Sequence, residues 1–430
     1  MLARVLLCIV FFVVIGMPQR VLAAPSDLPS LLFVTAAASE AAYSGELPEL
    51  LRARLVAAGW QIASYETPGH RGTVGRFFHM VRTDADGAET HLIAFPGTER
   101  GSDVWTDLRI GRAVFGGTTP AEFLSMREAP VTERGETPLV HRGFLDYTQA
   151  ALFTDALPAY AGRTAGEAIA DELRAYPDAQ IYLTGHSLGG AAAVLAAARL
   201  SDLGVSPEQL IVTTFGAPAV GNAAFARRYE GKFTLRRVVM SGDPMKDILA
   251  KPLGFQQFGE RVTWSPARSV AKFPHAMTVY VDAAIRRLCD AYGGERAYLF
   301  LMGTPDRTAG RTLYTLPIET KMDEVLTEDA PYMAAVLRDA LHVRSAHTVF
   351  AAGGGGLHEH LAAARAAGAQ EMIAYRIAGA KIRDAHETYR ITLEHAVYDM
   401  DGNLIAAGSR SARTGTLTPI ETVLYLFAQD

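Results

Sequence analysis

Ser187 stands at the centre of Gly185-His186-Ser187-Leu188-Gly189, between the apolar run Ile181-Tyr182-Leu183-Thr184 and an Ala/Leu-rich stretch from Gly189 to Leu200. A G-x-S-x-G segment set between a strand and a helix is the nucleophile-elbow pattern, in which a sharp turn lifts a serine hydroxyl clear of the sheet. Glycines Gly185 and Gly189 suit that turn because they bring no Cβ to the crowded positions beside the serine. The helix start points unpaired backbone N–H groups at any negative charge that develops there.

A serine becomes a strong nucleophile only when a base removes its proton, and the base needs an acid to orient it. Behind an elbow serine the chain order is acid, then histidine. The apolar run Leu235–Met240 ends in Ser241-Gly242-Asp243-Pro244, which places Asp243 just past a strand's carboxyl end, where the sites of open sheets collect. His275, in Phe273-Pro274-His275-Ala276-Met277, is the one histidine between Ser187 and the C-terminal third of the chain. Ser187 is therefore assigned as nucleophile, His275 as base and acid, and Asp243 as orienting acid. Asp247 and Asp202 are rivals for the last role; Asp202 is discounted because it lies at the far end of the elbow helix.

Acyl transfer also needs donors aimed at the developing oxyanion. The N–H of Leu188 is one. Thr98, after Gly97 at the end of Ile93-Ala94-Phe95, can supply another, although Gly97-Thr98 taken alone reads as an ordinary strand-end turn.

These residues need a scaffold that ends several strands at one edge. Between about residues 30 and 295, short apolar runs (77–82, 91–95, 181–184, 211–215, 235–240) alternate with helical patterns (31–42, 48–58, 165–176, 189–203, 276–292). The alternation predicts an α/β class with a mostly parallel sheet and helices on both faces. Pro48 is expected at the first position of its helix, where a missing N–H breaks no intrahelical bond.

The same stretch resembles the class 3, fungal-type triacylglycerol lipase family, which has the α/β-hydrolase fold. Four blocks carry the resemblance, in family order. They are Ala94-Phe95-Pro96-Gly97-Thr98 with Trp105-Thr106-Asp107-Leu108; Val140-His141-Arg142-Gly143-Phe144; Thr184 through Gly190; and Thr214-Phe215-Gly216-Ala217-Pro218 with Val220-Gly221-Asn222. Arg237-Val238-Val239, Asp243-Pro244 and His275 follow. The resemblance implies Ser187, Asp243 and His275 as the triad, Thr98 and Leu188 as the oxyanion hole, and Gly185, His186, Gly189, Gly97 and His141 as elbow and support. It also implies a mobile lid at the position of Ser102–Leu108, with Val104, Trp105 and Leu108 on one face; a fixed core-facing helix is the alternative. Pro96 stands where the family usually has arginine, and Met245-Lys246 where it usually has a short apolar, proline-containing stretch.

The 430 residues exceed one ordinary core, and 49% are hydrophobic. Arg4, the apolar run Val5–Ile15 and Val21-Leu22-Ala23 read as a cleavable secretory signal over residues 1–23; an uncleaved anchor is the alternative. Removing that segment takes away two of 41 basic residues and no acid, leaving 39 against 46, a net of −7. Cys289 is then the only cysteine, so no internal disulfide forms, and it is expected to fill core. Without a basic patch interleaved with aromatics, nucleic acid is not an expected partner.

Residues 24–300 are assigned to the hydrolase-like domain, 301–310 to a linker, and 311–430 to a smaller α/β unit of order β-α-β-α-β-β-β, with strands at 313–318, 347–351, 372–382, 389–398 and 404–408. That unit resembles the amino-terminal domain of TolB-type periplasmic proteins in its Leu316-Pro317-Ile318-Glu319 strand end and its late strand pair. Three features there have plainer readings than a site. Gly353–Gly356 lacks a G-K-[ST] ending, and His358 and His360, two apart on a helix, do not face one ligand. Asp399, Asp401 and Asn403 lack the closing glutamate of a calcium loop and flank a hairpin Asp-Gly. The unit is expected to bind an envelope partner or to position the enzyme. The sequence as a whole predicts a secreted or periplasmic serine hydrolase of lipid carboxylic esters, with no metal and no cofactor. A phospholipase A1 or thioesterase with the same triad, or a non-catalytic envelope interaction protein on a hydrolase scaffold, are the alternatives.

Overall fold

A computed structural model describes residues 27–69, 72–83, 89–98, 111–131, 135–245, 248, 253–270, 274–292, 312–344, 347–382 and 388–429. Two helices open the described chain, α1 (Leu28–Ala41) and α2 (Glu46–Ala57), followed by strands β1 (Trp60–Pro68), β2 (Val74–Thr83) and β3 (Glu89–Phe95). A short strand β4 (Arg112–Val114), helix α3 (Pro120–Ser125) and strand β5 (Leu139–His141) lead into α4 (Arg142–Gln149). A small ribbon, β6 (Ala156–Leu157) with β7 (Arg163–Thr164), precedes α5 (Ala165–Ala175). Then come β8 (Ile181–His186), α6 (Leu188–Asp202), β9 (Leu210–Phe215), α7 (Ala223–Tyr229), β10 (Thr234–Met240), β11 (Glu260–Trp264) and α8 (Met277–Tyr292).

Among the described residues, seven strands form one sheet in the order β1-β2-β3-β8-β9-β10-β11. β1, β2 and β3 pair antiparallel, and every pairing from β3 to β11 is parallel. Side chains alternate across such a sheet, and here both faces are buried. Leu92, Ala94, Tyr182, Val238 and Met240 pack on the face covered by α1, α2 and α8. Ile93, Phe95, Ile181, Leu183 and Val212 pack on the opposite face with α4, α5 and α6. The fold is α/β, a mostly parallel sheet between helical layers, as the alternation of apolar runs predicts.

The remaining elements are β12 (Leu313–Thr315), β13 (Glu319–Met322), α9 (Ala330–Arg344), β14 (Thr348–Phe350), α10 (Leu357–Ala366), β15 (Glu371–Lys381), β16 (Tyr389–Tyr398), β17 (Leu404–Arg413) and α11 (Pro419–Ala428). Their sheet runs β14-β12-β15-β16-β17, with β13 also on β15. Met333, Val336 and Leu337 of α9 and Ile420, Val423 and Leu424 of α11 belong to the same continuous core as α1, α2 and α8. The two sheets therefore enclose one continuous core between them. No helix of the described residues is long and apolar enough to cross a membrane.

Several details differ from the sequence-based expectation. Pro48 is the third helical residue, because Gly45 caps α2 and Glu46 starts it. The first intrahelical bond runs from Glu49 N–H to Gly45 C=O, so Pro48 still removes none. The expected strand 313–318 divides at Pro317, whose missing N–H cannot join the ladder, into β12 and β13. β17 continues to Arg413 rather than ending at Gly408. Strands β1 and β11 and helix α11 were not expected; α11 opens on a Thr418/Glu421 capping box. Cys289 is buried in the core.

Candidate active site

The elbow is built by β8 and α6. Ser187 caps α6 with φ 55° and ψ −120°, a left-handed backbone that a non-glycine residue adopts only when its surroundings hold it. Its N–H donates to the Phe215 C=O at 3.0 Å, tying the turn to the end of β9. Gly189 is there for closeness rather than conformation: a Cβ on it would sit 2.1 Å from the Phe95 carbonyl oxygen. The start of α6 is thus pressed onto the end of β3. The last β3–β8 pair sets Phe95 opposite Gly185, and a Cβ on Gly97 would lie 2.7 Å from the His186 carbonyl oxygen, so the Gly97 backbone runs beside the elbow. Pro96 falls just past the last β3–β8 pair, where no ladder N–H is required, and its C=O accepts from Tyr147 Oη at 3.3 Å.

The other two candidates arrive from the neighbouring strand end. After β10 the chain turns tightly, Asp243 N–H donating to Met240 C=O at 3.0 Å, and the Asp243 carboxylate is completely buried. His275 Nδ1 lies 2.9 Å from Asp243 Oδ2, and His275 Nε2 lies 3.1 Å from Ser187 Oγ. An ionised carboxylate only accepts, so Nδ1 carries the proton and Nε2 is left to accept from the serine hydroxyl. Tyr280 Oη donates to Asp243 Oδ2 at 2.6 Å, and Met245 N–H donates to Oδ1 at 2.8 Å. Burial alone would raise the Asp243 carboxyl; the hydrogen bonds from His275, Tyr280 and Met245 outweigh it and hold the group below the usual carboxylate range. Gly216, with φ 56°, leaves the space for this cluster, since a Cβ there would sit 2.7 Å from Asp243 Oδ2.

His186 does not point at the serine. Its Nε2 lies 2.7 Å from the His275 carbonyl oxygen and its Nδ1 2.7 Å from Tyr43 Oη. Burial, then the neighbouring His275, lowers the His186 pKa to about 3, so the ring is neutral. The carbonyl can only accept, which makes Nε2 the donor and Nδ1 the acceptor from Tyr43. The ring holds the backbone of His275 while its face lies 4.6 Å from the His275 ring. Tyr43 also fills the space above Gly97, where a Cβ would come within 2.0 Å of its hydroxyl oxygen.

Of the residues expected at the site, the structure brings Ser187, Asp243, His275, His186, Gly185, Gly189, Leu188 and Gly97 together. His141 packs against Phe144, ring centres 4.2 Å apart; its Nδ1 has no hydrogen-bond partner among the described residues, and burial lowers its pKa to about 4. It ends β5 and starts α4, which is a packing role. Asp202 pairs with Arg228 and Tyr229 at the far end of α6. Asp247 and the proposed lid residues Val104, Trp105 and Leu108 lie outside the described residues. Tyr43 and Tyr280 were not anticipated. No group of three or more His, Cys, Asp or Glu among the described residues could hold a metal ion.

Residues 92–251 match the class 3 lipase family. The matched segment contains Ser187 and Asp243 and ends before His275. A lipase of Caenorhabditis elegans is 49% identical over 70 residues, 16% of this chain and 20% of its own. The Rhizomucor miehei lipase is 35% identical over 127 residues, 28% of this chain and 31% of its own. The chain thus spans less than a third of the length of these curated relatives. Among solved structures, a triacylglycerol lipase described as having a serine-protease triad at its catalytic centre overlaps 56% of this chain and 81% of its own, at 24% identity and a TM-score of 0.40.

Proposed function

We propose that the chain is a serine hydrolase of lipid carboxylic esters. The observation that carries this reading is the hydrogen-bonded line Asp243–His275–Ser187, set at the N-terminus of α6 and at the carboxyl edge of the sheet. His275 Nε2 takes the Ser187 proton as Oγ attacks the ester carbonyl carbon. The carbonyl oxygen becomes an oxyanion facing Leu188 N–H and Thr98. His275 then gives its proton to the leaving alcohol, and the acyl group stays on Ser187. Water, deprotonated by the same nitrogen, attacks the acyl-enzyme and releases the carboxylic acid. Loss of one oxyanion donor typically costs on the order of 10²–10³ in rate.

The lipid class rests on the family matched by residues 92–251 and on the names of the two relatives above, both lipases. Export through cleavage of residues 1–23 belongs to the same reading, as does a covering helix at Val104–Leu108. Hydrolysis of matched short-chain esters, long-chain triglycerides and phospholipids, with Ser187→Ala alongside, tests it. Serine-dependent release from the triglycerides is expected. Serine-dependent release from phospholipids alone moves the reading to a phospholipase, and no serine-dependent release from any of them overturns it.

A further inference from the structure

The segment that carries His275 is held on both sides by one carboxylate of the second unit. Asp329 ends the single-turn helix Glu324–Asp329 that leads into α9, and it is 2% exposed. Its Oδ1 accepts from Ser269 Oγ at 3.1 Å and from the Arg286 guanidinium. Ser269 sits six residues before His275, in the turn Arg268–Val270. Arg286 lies on α8, the helix that His275 leads into and whose first turns carry Tyr280, the donor to Asp243. Asp282, one turn earlier on α8, fixes the guanidinium from the other side through Arg286 Nε at 2.6 Å. The guanidinium carbon also lies 4.8 Å from the ring centre of Tyr332, on α9.

We propose that Asp329 is a positioning residue: the second unit acts within the same chain as a clamp that sets the height and angle of the His275 loop against Ser187. This rests on the ester-hydrolase reading of Ser187 and His275. The chemistry of the contact favours a geometric role over simple adhesion. Two buried carboxylates share one cation, and Asp329 Oδ2 finds no hydrogen-bond partner among the described residues. Taking charges out of water is expensive, and apolar residues of similar size would hold two helices together at least as well. A directional fork between Ser269 and Arg286 instead fixes where the loop stands. Misplacing reacting groups by about 1 Å through a change far from the chemistry can cost on the order of 10²-fold in rate.

The test is steady-state hydrolysis of a dissolved short-chain ester by the full chain and by Asp329→Ala, Asp329→Asn and Ser269→Ala. Thermal melts and fluorophosphonate labelling of Ser187 run in parallel. Asp329→Ala is expected to lower kcat by about 10- to 100-fold with KM within about twofold of the parent. Asp329→Asn, which keeps an acceptor for Ser269, recovers part of the loss. Ser269→Ala leaves the Arg286–Asp329 pair and the shared core intact, so it remains informative if Asp329→Ala does not fold; a fall in kcat of several-fold at an unchanged melting temperature is expected. Folded variants with parental kcat, or losses that track melting temperature alone, overturn the clamp and leave the hydrolase reading standing. A parent chain that neither labels nor hydrolyses overturns both.

Discussion

Two regions of this molecule bury carboxylates, and they do so in opposite ways. At the end of β10, Asp243 is surrounded by donors: an imidazole N–H, a phenol and a backbone N–H. Where the second unit meets α1, α2 and α8, Asp329 accepts from Ser269 and Arg286, whereas Glu40, Asp339 and Glu421 have fewer donors, Glu421 accepting from the Thr418 N–H of its capping box. Burial raises Glu40 to about 7; Asp339 also rises to about 7, opposed only by Arg54 at 3.4 Å. Glu421 is pushed well above its ordinary value by burial, and nearby Asp282 and Glu40 add to the rise. The difference teaches what burial does to an acid. Where donors outweigh burial, as at Asp243, it becomes a fixed negative charge that can orient a histidine, and where burial wins it becomes a neutral group at moderate pH.

The second unit's surface completes the contrast. Two of its three tempting motifs spend their polar groups locally. The Gly356 N–H donates to Glu359 at the start of α10. Asp399 accepts from the N–H groups of Asp401 and Asn403 and from the Asn403 side chain; those bonds lower its carboxyl and close the hairpin between β16 and β17. Each of these groups is already paired within its own turn. At the Ser187 edge the polar groups come instead from separate strand ends and converge.

The largest test of this contrast is Ser187→Ala, expected to lower turnover on the order of 10⁴-fold or more at an unchanged melting temperature, read by ester hydrolysis and calorimetry. Asp243→Asn should follow at about 10⁴-fold in kcat, because an amide can present its N–H to His275 Nδ1 and favour the wrong tautomer. Tyr43→Phe leaves the buried His186 Nδ1 without its donor; a loss of about 1–3 kcal/mol of stability is expected in denaturant titration, with a smaller fall in kcat. Glu40→Gln should have the least effect on turnover and sharpens the other half of the comparison. The folded pKa of Glu40, about 7, lies above its ordinary value of 4.5, so its contribution to stability is fully present below about pH 4.5 and is lost as pH rises through 7. Glutamine removes that loss. The variant should match the parent at pH 4 and exceed it at pH 8 by up to about 3 kcal/mol. Equal stability of the two at pH 8 would mean that Glu40 is not a buried neutral acid.

Much of the site was legible in the sequence because its parts are local. The glycines around Ser187 mark a turn by themselves, and an acid just past an apolar run announces a strand end. Tyr43 and Tyr280 could not be found that way. Tyr43 reaches His186 across 143 positions and Tyr280 reaches Asp243 across 37, and a tyrosine in or just past an apolar helix looks like core until its partner is known. His141, expected as support rather than chemistry, packs on Phe144. In the fold, α11 escaped notice although Thr418-Pro419-Ile420-Glu421 forms a capping box, because most of its residues are buried and it shows no polar stripe. β11 escaped because it is a short edge strand with exposed Glu260, Arg261 and Thr263.

The central claim is that His275 activates Ser187. The most direct measurement is reaction of the intact chain with a fluorophosphonate, followed by peptide mapping, for the parent and for His275→Ala. The account predicts one adduct, on Ser187, and its loss in the variant even though the serine is still present. An adduct on another residue, or equal labelling of Ser187 without His275, would contradict it.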